Sequence, residues 1–155
     1  MTAEAVLDAA RAKGQKIATA ESCTGGLIAA ALTEIPGSSN VVDRGFVTYS
    51  NAAKIDMLDV DPQVLADFGA VSEEVAAQMA TGALDASGAQ LAVSVTGIAG
   101  PGGSDHKPEG RVCFGLALSG QPVHSETMEF GPLGRAKVRS AATDHALALL
   151  LQALT

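Results

Sequence analysis

The 155-residue sequence lacks several features that would assign it to a functional class directly. Its two cysteines, Cys23 and Cys113, are far apart and form no metal-ligand pattern. We therefore expect no zinc site, and no disulfide in a reducing compartment. Cys113 lies in an apolar segment and is interpreted as a small core residue.

The sequence also lacks a membrane-spanning run and a secretory leader. No apolar stretch reaches the ~20 residues needed to cross a bilayer. The start, Met1–Glu4, has no basic region followed by an apolar one. We therefore expect a cytoplasmic protein with no membrane partner.

Basic residues are scarce, since 10 Lys and Arg stand against 17 Asp and Glu, for a net charge of -7. Nucleic-acid binding generally needs a basic face that displaces counterions from phosphates, so no nucleic-acid partner is expected. A small anionic ligand is still compatible with this charge, because a few local cations can outweigh the global field. The length predicts one domain, residues 1–155, that is large enough to bury a core without metal or disulfides.

A short apolar run ends in a segment rich in hydroxyls and glycine, Ala18–Gly26 (ATAESCTGG). The run indicates a buried strand, and apolar residues recur at helical spacing from Leu27 onward. A strand that feeds a helix through such a turn leaves unpaired N–H groups at the helix start, where they can face an anion or a developing oxyanion. Ser22, Cys23 and Thr24 supply two hydroxyls and a thiol there, as an acyl-transfer site requires. The alternative is an ordinary helix cap and glycine turn.

Three familiar motifs are absent from this segment. No Lys-Ser or Lys-Thr pair follows the glycines, so it is not a Walker loop, and its spacing differs from the dinucleotide fingerprint. It also lacks the Gly-x-Ser-x-Gly elbow. No cofactor is therefore predicted.

Tyr49 and Lys54 lie where a second predicted strand, Val41–Tyr49, meets a short helix that starts at Ser50–Asn51. Ligand groups collect at strand ends in α/β sheets, so both residues are candidates by position and by chemistry. The alternative is a tyrosine that anchors the sheet edge and a solvated helix lysine.

A glycine-rich loop (residues 97–110) follows the most strand-like segment, Leu91–Thr96. It is long for a connection in a compact domain, and such loops are usually functional or mobile. Its glycines permit close backbone approach to a ligand. Thr96 sits where the strand meets this backbone, whereas nothing local assigns a role to His106 or Lys107. Candidate ligand-binding residues here are Thr96, Gly97, Gly100, Gly102 and Gly103.

The last predicted helix runs from Arg135 to about Leu154 and carries Arg135 and Arg139 one turn apart. This spacing can present two guanidinium groups to one anion. An ordinary solvated helix face is the alternative.

Strands are predicted near residues 17, 45, 93, 114 and 126, with helices between and around them, which gives an α/β/α sandwich with a mixed sheet of about five strands. The last two strands should be antiparallel because their connection is short, whereas strand order is not predicted.

Four segments in this order resemble the CinA C-terminal domain family, which includes the nicotinamide mononucleotide deamidases, also called nicotinamide-nucleotide amidohydrolases. They are AESCTGGLIAAALTEIPGSS, RGFVTYSNAAKIDMLDV, FGAVSEEVAAQMA and VSVTGIAGPGGSDHKPEGRVCFGLA. The resemblance implies hydrolysis of the carboxamide of nicotinamide mononucleotide to nicotinate mononucleotide and ammonia, in pyridine nucleotide recycling. Ser22, Tyr49, Lys54, Thr96 and Arg135 fall on its motifs, although this chain has Gly-Pro-Leu-Gly-Arg where relatives often read Gly-Asp-Arg.

The implied mechanism is metal-free. Ser22 would attack the amide carbon, Lys54 would act as its base, and Tyr49 would relay the proton or hold the lysine. Cys23 is a rival nucleophile, because a thiolate is intrinsically more reactive. The oxyanion would meet N–H groups of Thr24, Gly25 or Gly26, and the phosphate would meet Arg135, with Arg139 and the Gly100–Ser104 backbone.

Two other classes of function are compatible with the sequence. One is a nucleotide-binding regulatory module without turnover, and the other is a competence or DNA-damage partner protein, as the family name suggests. Retention of Ser22, Tyr49 and Lys54 together argues against the first, and the acidic composition argues against direct DNA contact. A homodimer formed through alanine-rich helices is a further expectation.

Overall fold

The computed structural model describes residues 2–104 and 106–155. Within these ranges, no helix combines the length and the apolar character needed to cross a bilayer.

The helices and strands lie close to their predicted positions, although the second strand is shorter at both ends. In chain order they are α1 (Thr2–Lys13), β1 (Ile17–Glu21), α2 (Leu27–Thr33), β2 (Val42–Val47), α3 (Asn51–Leu58), α4 (Pro62–Phe68), α5 (Glu73–Asp85), β3 (Leu91–Gly97), β4 (Arg111–Leu118), β5 (His124–Glu129) and α6 (Arg135–Leu154), with a short 3₁₀ turn at Ser38–Asn40.

The strands form one mixed sheet in the order β2-β1-β3-β4-β5. Strand β1 lies between β2 and β3 and pairs in parallel with both. The β3–β4 and β4–β5 pairs are antiparallel. The predicted mixed sheet and the antiparallel last pair are therefore confirmed, and the structure adds the strand order.

Helices cover both faces of the sheet. One apolar core joins the sheet to α1, α2 and α6, and the other joins it to α3, α4 and α5. Side chains alternate between the two faces along a strand. In β1, Ile17 belongs to the α1/α2/α6 core, whereas Ala18 and Ala20 belong to the α3/α4/α5 core. The α/β/α sandwich is thus confirmed.

The carboxyl ends of β1, β2 and β3 meet at one edge of the sheet because these strands are parallel. The chain leaves β1 through α2 on one face and returns from β2 to β3 through α3, α4 and α5 on the other. Such a reversal opens a crevice at the strand ends, where ligands bind in open α/β sheets. The candidate residues after β1, β2 and β3 all lie at this edge.

Candidate active site

Ser22 directly follows β1 and continues its alternation of side chains. Its backbone N–H donates to the carbonyl oxygen of Val95 at 2.9 Å, which fixes it against β3. The side chain lies on the face covered by α3, α4 and α5, and the residue is 8% exposed. The neighbouring Cys23 packs in the opposite core, with α1, α2 and α6. The two adjacent residues therefore pack in different surroundings, although both line one cavity at the strand ends.

Lys54 lies in the first turn of α3, which Ser50 caps by accepting a hydrogen bond from the Ala53 N–H at 3.0 Å. The residue is 1% exposed, and its Nζ lies 2.9 Å from Ser22 Oγ. Nζ also donates to the carbonyl oxygens of Thr48 at 2.9 Å and Tyr49 at 3.2 Å. Among the described ion pairs, none joins this amine to a carboxylate.

Burial lowers the pKa of the Lys54 amine from 10.5 to about 8. At neutral pH a substantial minority of the amine, about a tenth, is then uncharged. A neutral amine has two N–H donors and one lone pair. The two carbonyl oxygens can take the two donors, which leaves the lone pair for the Ser22 hydroxyl. This arrangement can therefore remove a proton from Ser22 without a histidine.

The Cys23 thiol is in a different electrostatic setting. Burial, and secondarily the Glu21 carboxylate, raises its pKa to about 11. The thiol is therefore protonated at neutral pH, although the thiolate is the reactive form. The protonated state of the Cys23 thiol therefore favours Ser22 over Cys23 as the nucleophile.

Tyr49 contacts the site in two ways. Its backbone carbonyl accepts hydrogen bonds from Lys54 Nζ and from Ser22 Oγ, the latter at 3.4 Å. Its side chain is largely exposed, and the phenol oxygen accepts from Arg135 Nη2 at 3.1 Å. Tyr49 thus holds the lysine through its backbone, whereas its phenol lies with Arg135.

A cavity of about 260 Å³ opens beside Ser22 and Lys54. The ends of β1 and β3, the start of α3 and the α4–α5 connection form its walls. The lining includes the predicted residues Ser22, Tyr49, Lys54, Thr96, Gly97 and Arg135, and also the rival nucleophile Cys23. The other predicted residues lie outside this lining; they are Thr24, Gly25, Gly26, Gly100, Gly102, Gly103 and Arg139.

The start of α2 already binds an anion from its own chain. The buried Glu21 carboxylate accepts from the Ile28 N–H at 2.9 Å, the Ala29 N–H at 3.0 Å and the Thr24 hydroxyl at 2.5 Å. The Gly25 N–H donates to the Ser22 carbonyl oxygen at 3.1 Å and so closes the turn. Of the three N–H groups predicted to bind an oxyanion, that of Gly25 is therefore committed to the backbone.

The glycine-rich loop is tied to the start of α6. Glu109 accepts from the Gly102 N–H at 2.7 Å and from the Gly134 N–H at 2.9 Å. Arg135 Nη1 donates to the Gly100 carbonyl oxygen at 2.9 Å. The loop is thus fastened to α6 by two side chains. Its residue Asp105 lies outside the described residues.

The α4–α5 connection forms the roof of the cavity and is held from two sides. Thr96 Oγ1 donates to the Ala70 carbonyl oxygen at 2.9 Å. Lys107 Nζ donates to the carbonyl oxygens of Phe68 at 2.7 Å and Val71 at 2.5 Å. Thr96 therefore lines the cavity and also supports its roof.

Sequence reasoning missed Glu21, Glu109 and Lys107. A signal was available for Glu21, because a carboxylate that ends an apolar strand needs donors, and a helix start follows within seven residues. Lys107 and Glu109 bind backbone groups far along the chain, which no local pattern indicates. Across residues 2–104 and 106–155, no three His, Cys, Asp or Glu side chains are grouped to hold a metal ion.

Comparison with known proteins identifies relatives of this chain. The sequence matches the family described as CinA C-terminal domain over residues 1–154. A putative competence-damage inducible protein from Caldicellulosiruptor saccharolyticus is 49% identical over 149 residues, which are 95% of this chain and 36% of that protein. A nicotinamide-nucleotide amidohydrolase PncC from Enterobacter agglomerans is 61% identical over 110 residues, which are 70% of this chain and 67% of that protein. The chain spans about a third of the length of several curated relatives that it matches.

Solved structures show the same fold. The crystal structure of the competence/damage inducible protein CihA from Agrobacterium tumefaciens superposes with a TM-score of 0.94 at 52% identity, covering 99% of this chain and 93% of that one. A CinA superfamily protein from Klebsiella pneumoniae gives a TM-score of 0.91 at 39% identity, covering 99% and 98%. The resemblance drawn from the four sequence segments is therefore confirmed.

Proposed function

Because this chain belongs to the CinA C-terminal domain family, we propose that it hydrolyses the carboxamide of nicotinamide mononucleotide to nicotinate mononucleotide and ammonia. The observation that carries the proposal is the buried Lys54 amine 2.9 Å from the Ser22 hydroxyl. The name of the Enterobacter agglomerans relative supports the choice of substrate. The reaction would serve pyridine nucleotide recycling and would need no metal or cofactor.

The first chemical step is attack by Ser22. The neutral Lys54 amine takes the Ser22 proton as Oγ bonds to the amide carbon, which gives a tetrahedral intermediate. Collapse of this intermediate breaks the C–N bond, and Lys54 returns the proton to the departing ammonia. Water then hydrolyses the acyl-enzyme, with Lys54 acting again as base. Tyr49 and Thr48 orient the amine through their carbonyl oxygens.

The negative oxygen of the intermediate needs hydrogen-bond donors beside Ser22. Among the predicted donors, the N–H groups of Thr24 and Gly26 have no partner in the described backbone hydrogen bonds, whereas that of Gly25 closes the turn. We assign the role foremost to the Thr24 N–H, two residues after the proposed nucleophile.

The cavity is too small to enclose the whole nucleotide. At about 260 Å³, the cavity is below the ~300–1,000 Å³ typical of sites that enclose a whole ligand. The nicotinamide ring would therefore enter it, and the ribose and phosphate would remain at its mouth. Arg135 lies there beside the exposed Tyr49, with a guanidinium suited to bind phosphate.

Ammonia release from nicotinamide mononucleotide by the purified protein tests the proposal. We expect release that is insensitive to a chelator, lost in Ser22→Ala and retained in Cys23→Ala. Chelator-sensitive release would contradict the metal-free mechanism, and the reverse pattern of the two variants would make Cys23 the nucleophile. Tight binding of the nucleotide without ammonia release would instead favour a regulatory binding module.

The expected cytoplasmic homodimer belongs to the same proposal. The dimer rests on the alanine-rich helices of the sequence. Light scattering on the purified protein measures the mass directly, and a mass of 15.5 kDa would show a monomer instead.

A further inference from the structure

We propose that Arg139 and Glu21 are positioning residues that clamp the Ser22 turn (residues 22–26) from two sides and thereby hold Ser22 Oγ against Lys54. This inference rests on the proposed function, since it takes Ser22 as the nucleophile. It assigns Arg139 a role other than the phosphate binding predicted from helical spacing.

Arg139 is bound to the backbone of the turn. Its Nε donates to the Cys23 carbonyl oxygen at 3.0 Å, and its Nη2 donates to the Thr24 carbonyl oxygen at 3.3 Å. Gly25 makes room for this approach, because a Cβ added there would lie 3.3 Å from Nη2. The φ of +58° at Gly25 also favours glycine. The guanidinium therefore fixes two consecutive peptide groups directly after the nucleophile.

Glu21 holds the same turn from the strand side. It is 1% exposed, and its carboxylate joins the Thr24 hydroxyl to the N–H groups of Ile28 and Ala29. A carboxylate at a helix start is stabilised by the helix dipole and by the free N–H groups there. Glu21 thus ties the turn to α2, whereas Arg139 ties it to α6.

The position of Arg139 argues for this role over substrate binding. Arg139 is outside the lining of the cavity, whereas Arg135, one turn earlier, is part of it. A phosphate at Arg139 would also have to compete with two backbone carbonyl oxygens, whereas Arg135 binds one, that of Gly100, and the exposed Tyr49 phenol. Two arginines on one helix therefore serve different purposes: Arg135 faces the ligand and Arg139 holds the nucleophile.

The kinetic consequence is specific. A misplacement of about 1 Å in a reacting group can cost about 100-fold in rate. We expect Arg139→Met and Glu21→Gln to lower kcat by about 10- to 100-fold, with KM for nicotinamide mononucleotide within about 2-fold of wild type. Arg139→Lys keeps one donor and should recover part of kcat. If Arg139 bound the substrate phosphate instead, its substitution would raise KM.

A covalent-modification assay measures Ser22 reactivity without the nucleotide. A fluorophosphonate probe modifies an activated serine, and intact-mass spectrometry follows the rate of modification, with Ser22→Ala defining the background. Arg11→Met is the matched control, because Arg11 also donates to a loop carbonyl oxygen, that of Gly37 at 3.0 Å, but at the opposite edge of the sheet. Thermal unfolding of each variant shows whether it is folded. If Arg139→Met is not folded, the modification rate of Arg139→Lys is compared with wild type in its place.

We expect Arg139→Met and Glu21→Gln to slow Ser22 modification at least about 10-fold, and Arg11→Met to match wild type. Modification of Arg139→Met at the wild-type rate, in a protein that releases ammonia, would overturn the clamp and leave the proposed function intact. Failure of the wild type both to be modified and to release ammonia would overturn the proposed function, and the clamp with it.

Discussion

Two segments that follow parallel strands of the same sheet each bind a carboxylate of their own chain. In the Ser22 turn after β1, that carboxylate is Glu21, which is fully buried and has three donors. In the glycine-rich loop after β3, it is Glu109, which is partly exposed and joins Gly102 to Gly134. The first segment carries the proposed nucleophile, and the second borders the mouth of the cavity.

The difference indicates a division of labour. A turn that is held by a buried carboxylate keeps a reacting atom in one place, which catalysis requires. An exposed loop tied by fewer bonds can adjust to the shape of a ligand. Substitutions in the first segment should therefore change kcat, whereas substitutions around the second should change KM.

The largest effect should come from the lysine beside the Ser22 turn. Lys54→Met removes the proposed base, and we expect kcat to fall at least about 100-fold. Lys107→Met is the matched control, because Lys107 is also bound to backbone carbonyl oxygens but supports the roof. It should lose less than about 10-fold. Near-normal ammonia release by Lys54→Met would remove the lysine from the mechanism.

The pH dependence should follow the Lys54 amine. Its pKa is lowered to about 8, and in the proposed mechanism the neutral form is the base. The logarithm of kcat/KM should therefore rise about one unit per pH unit below this value and level off above it. Initial rates of ammonia release between pH 6 and about 9.5 measure this profile. A profile that is flat through pH 8 would contradict a lysine base.

The arginine at the mouth should act on binding. Arg135→Met removes a guanidinium that would form charge-assisted bonds to the phosphate, each worth about 1.5–3 kcal/mol. We expect KM to rise about 10- to 100-fold with a small change in kcat. Steady-state kinetics of Arg135→Met and Arg139→Met, measured in parallel, show whether one variant changes KM and the other kcat. Equal effects of the two variants on KM would contradict separate roles for the two arginines.

A stability effect should accompany the lowered pKa of Lys54. The folded state disfavours the charged amine, so below pH 8 the buried charge destabilises the fold, and this penalty is relieved as pH rises from about 8 towards 10.5. The Tm of wild type should therefore increase relative to that of Lys54→Met across this window. Thermal unfolding of both proteins at several pH values measures it, and parallel Tm curves would exclude a buried lysine with a lowered pKa.

The smallest effect should come from the loop carboxylate. Glu109→Gln loses one hydrogen bond to a backbone N–H, which costs about 1 kcal/mol of stability. We expect KM to rise about 2- to 3-fold, with kcat unchanged. A loss of kcat as large as that of Glu21→Gln would abolish the distinction between the two segments.

The sequence predicted the secondary structure well because each element has a local signal. Ser50 caps the helix that it was expected to start, and Asp61 and Ser72 cap the next two helices in the same way. The strand order was not predictable, because pairing joins residues far apart along the chain. The approach of Lys54 to Ser22 came from the family resemblance, not from any local pattern.

The partners of charged groups were the least predictable part of the site. Arg135 and Arg139 share one helix face, as their spacing predicted, yet their guanidinium groups bind different segments. The partners of Arg139 lie 116 and 115 residues earlier in the chain. Periodicity fixes which face of a helix a side chain occupies, but the tertiary fold decides what it meets there.

We propose that Ser22 is activated by the buried Lys54 amine, whose lowered pKa leaves about a tenth of it neutral at pH 7. Nuclear magnetic resonance titration of the Lys54 side chain, assigned with Lys54→Met, measures the protonation of this amine directly. The predicted midpoint is about 8, coincident with the midpoint of the rate profile. A midpoint at the ordinary value of 10.5 would leave less than about a thousandth of the amine neutral at pH 7 and would contradict this proposal.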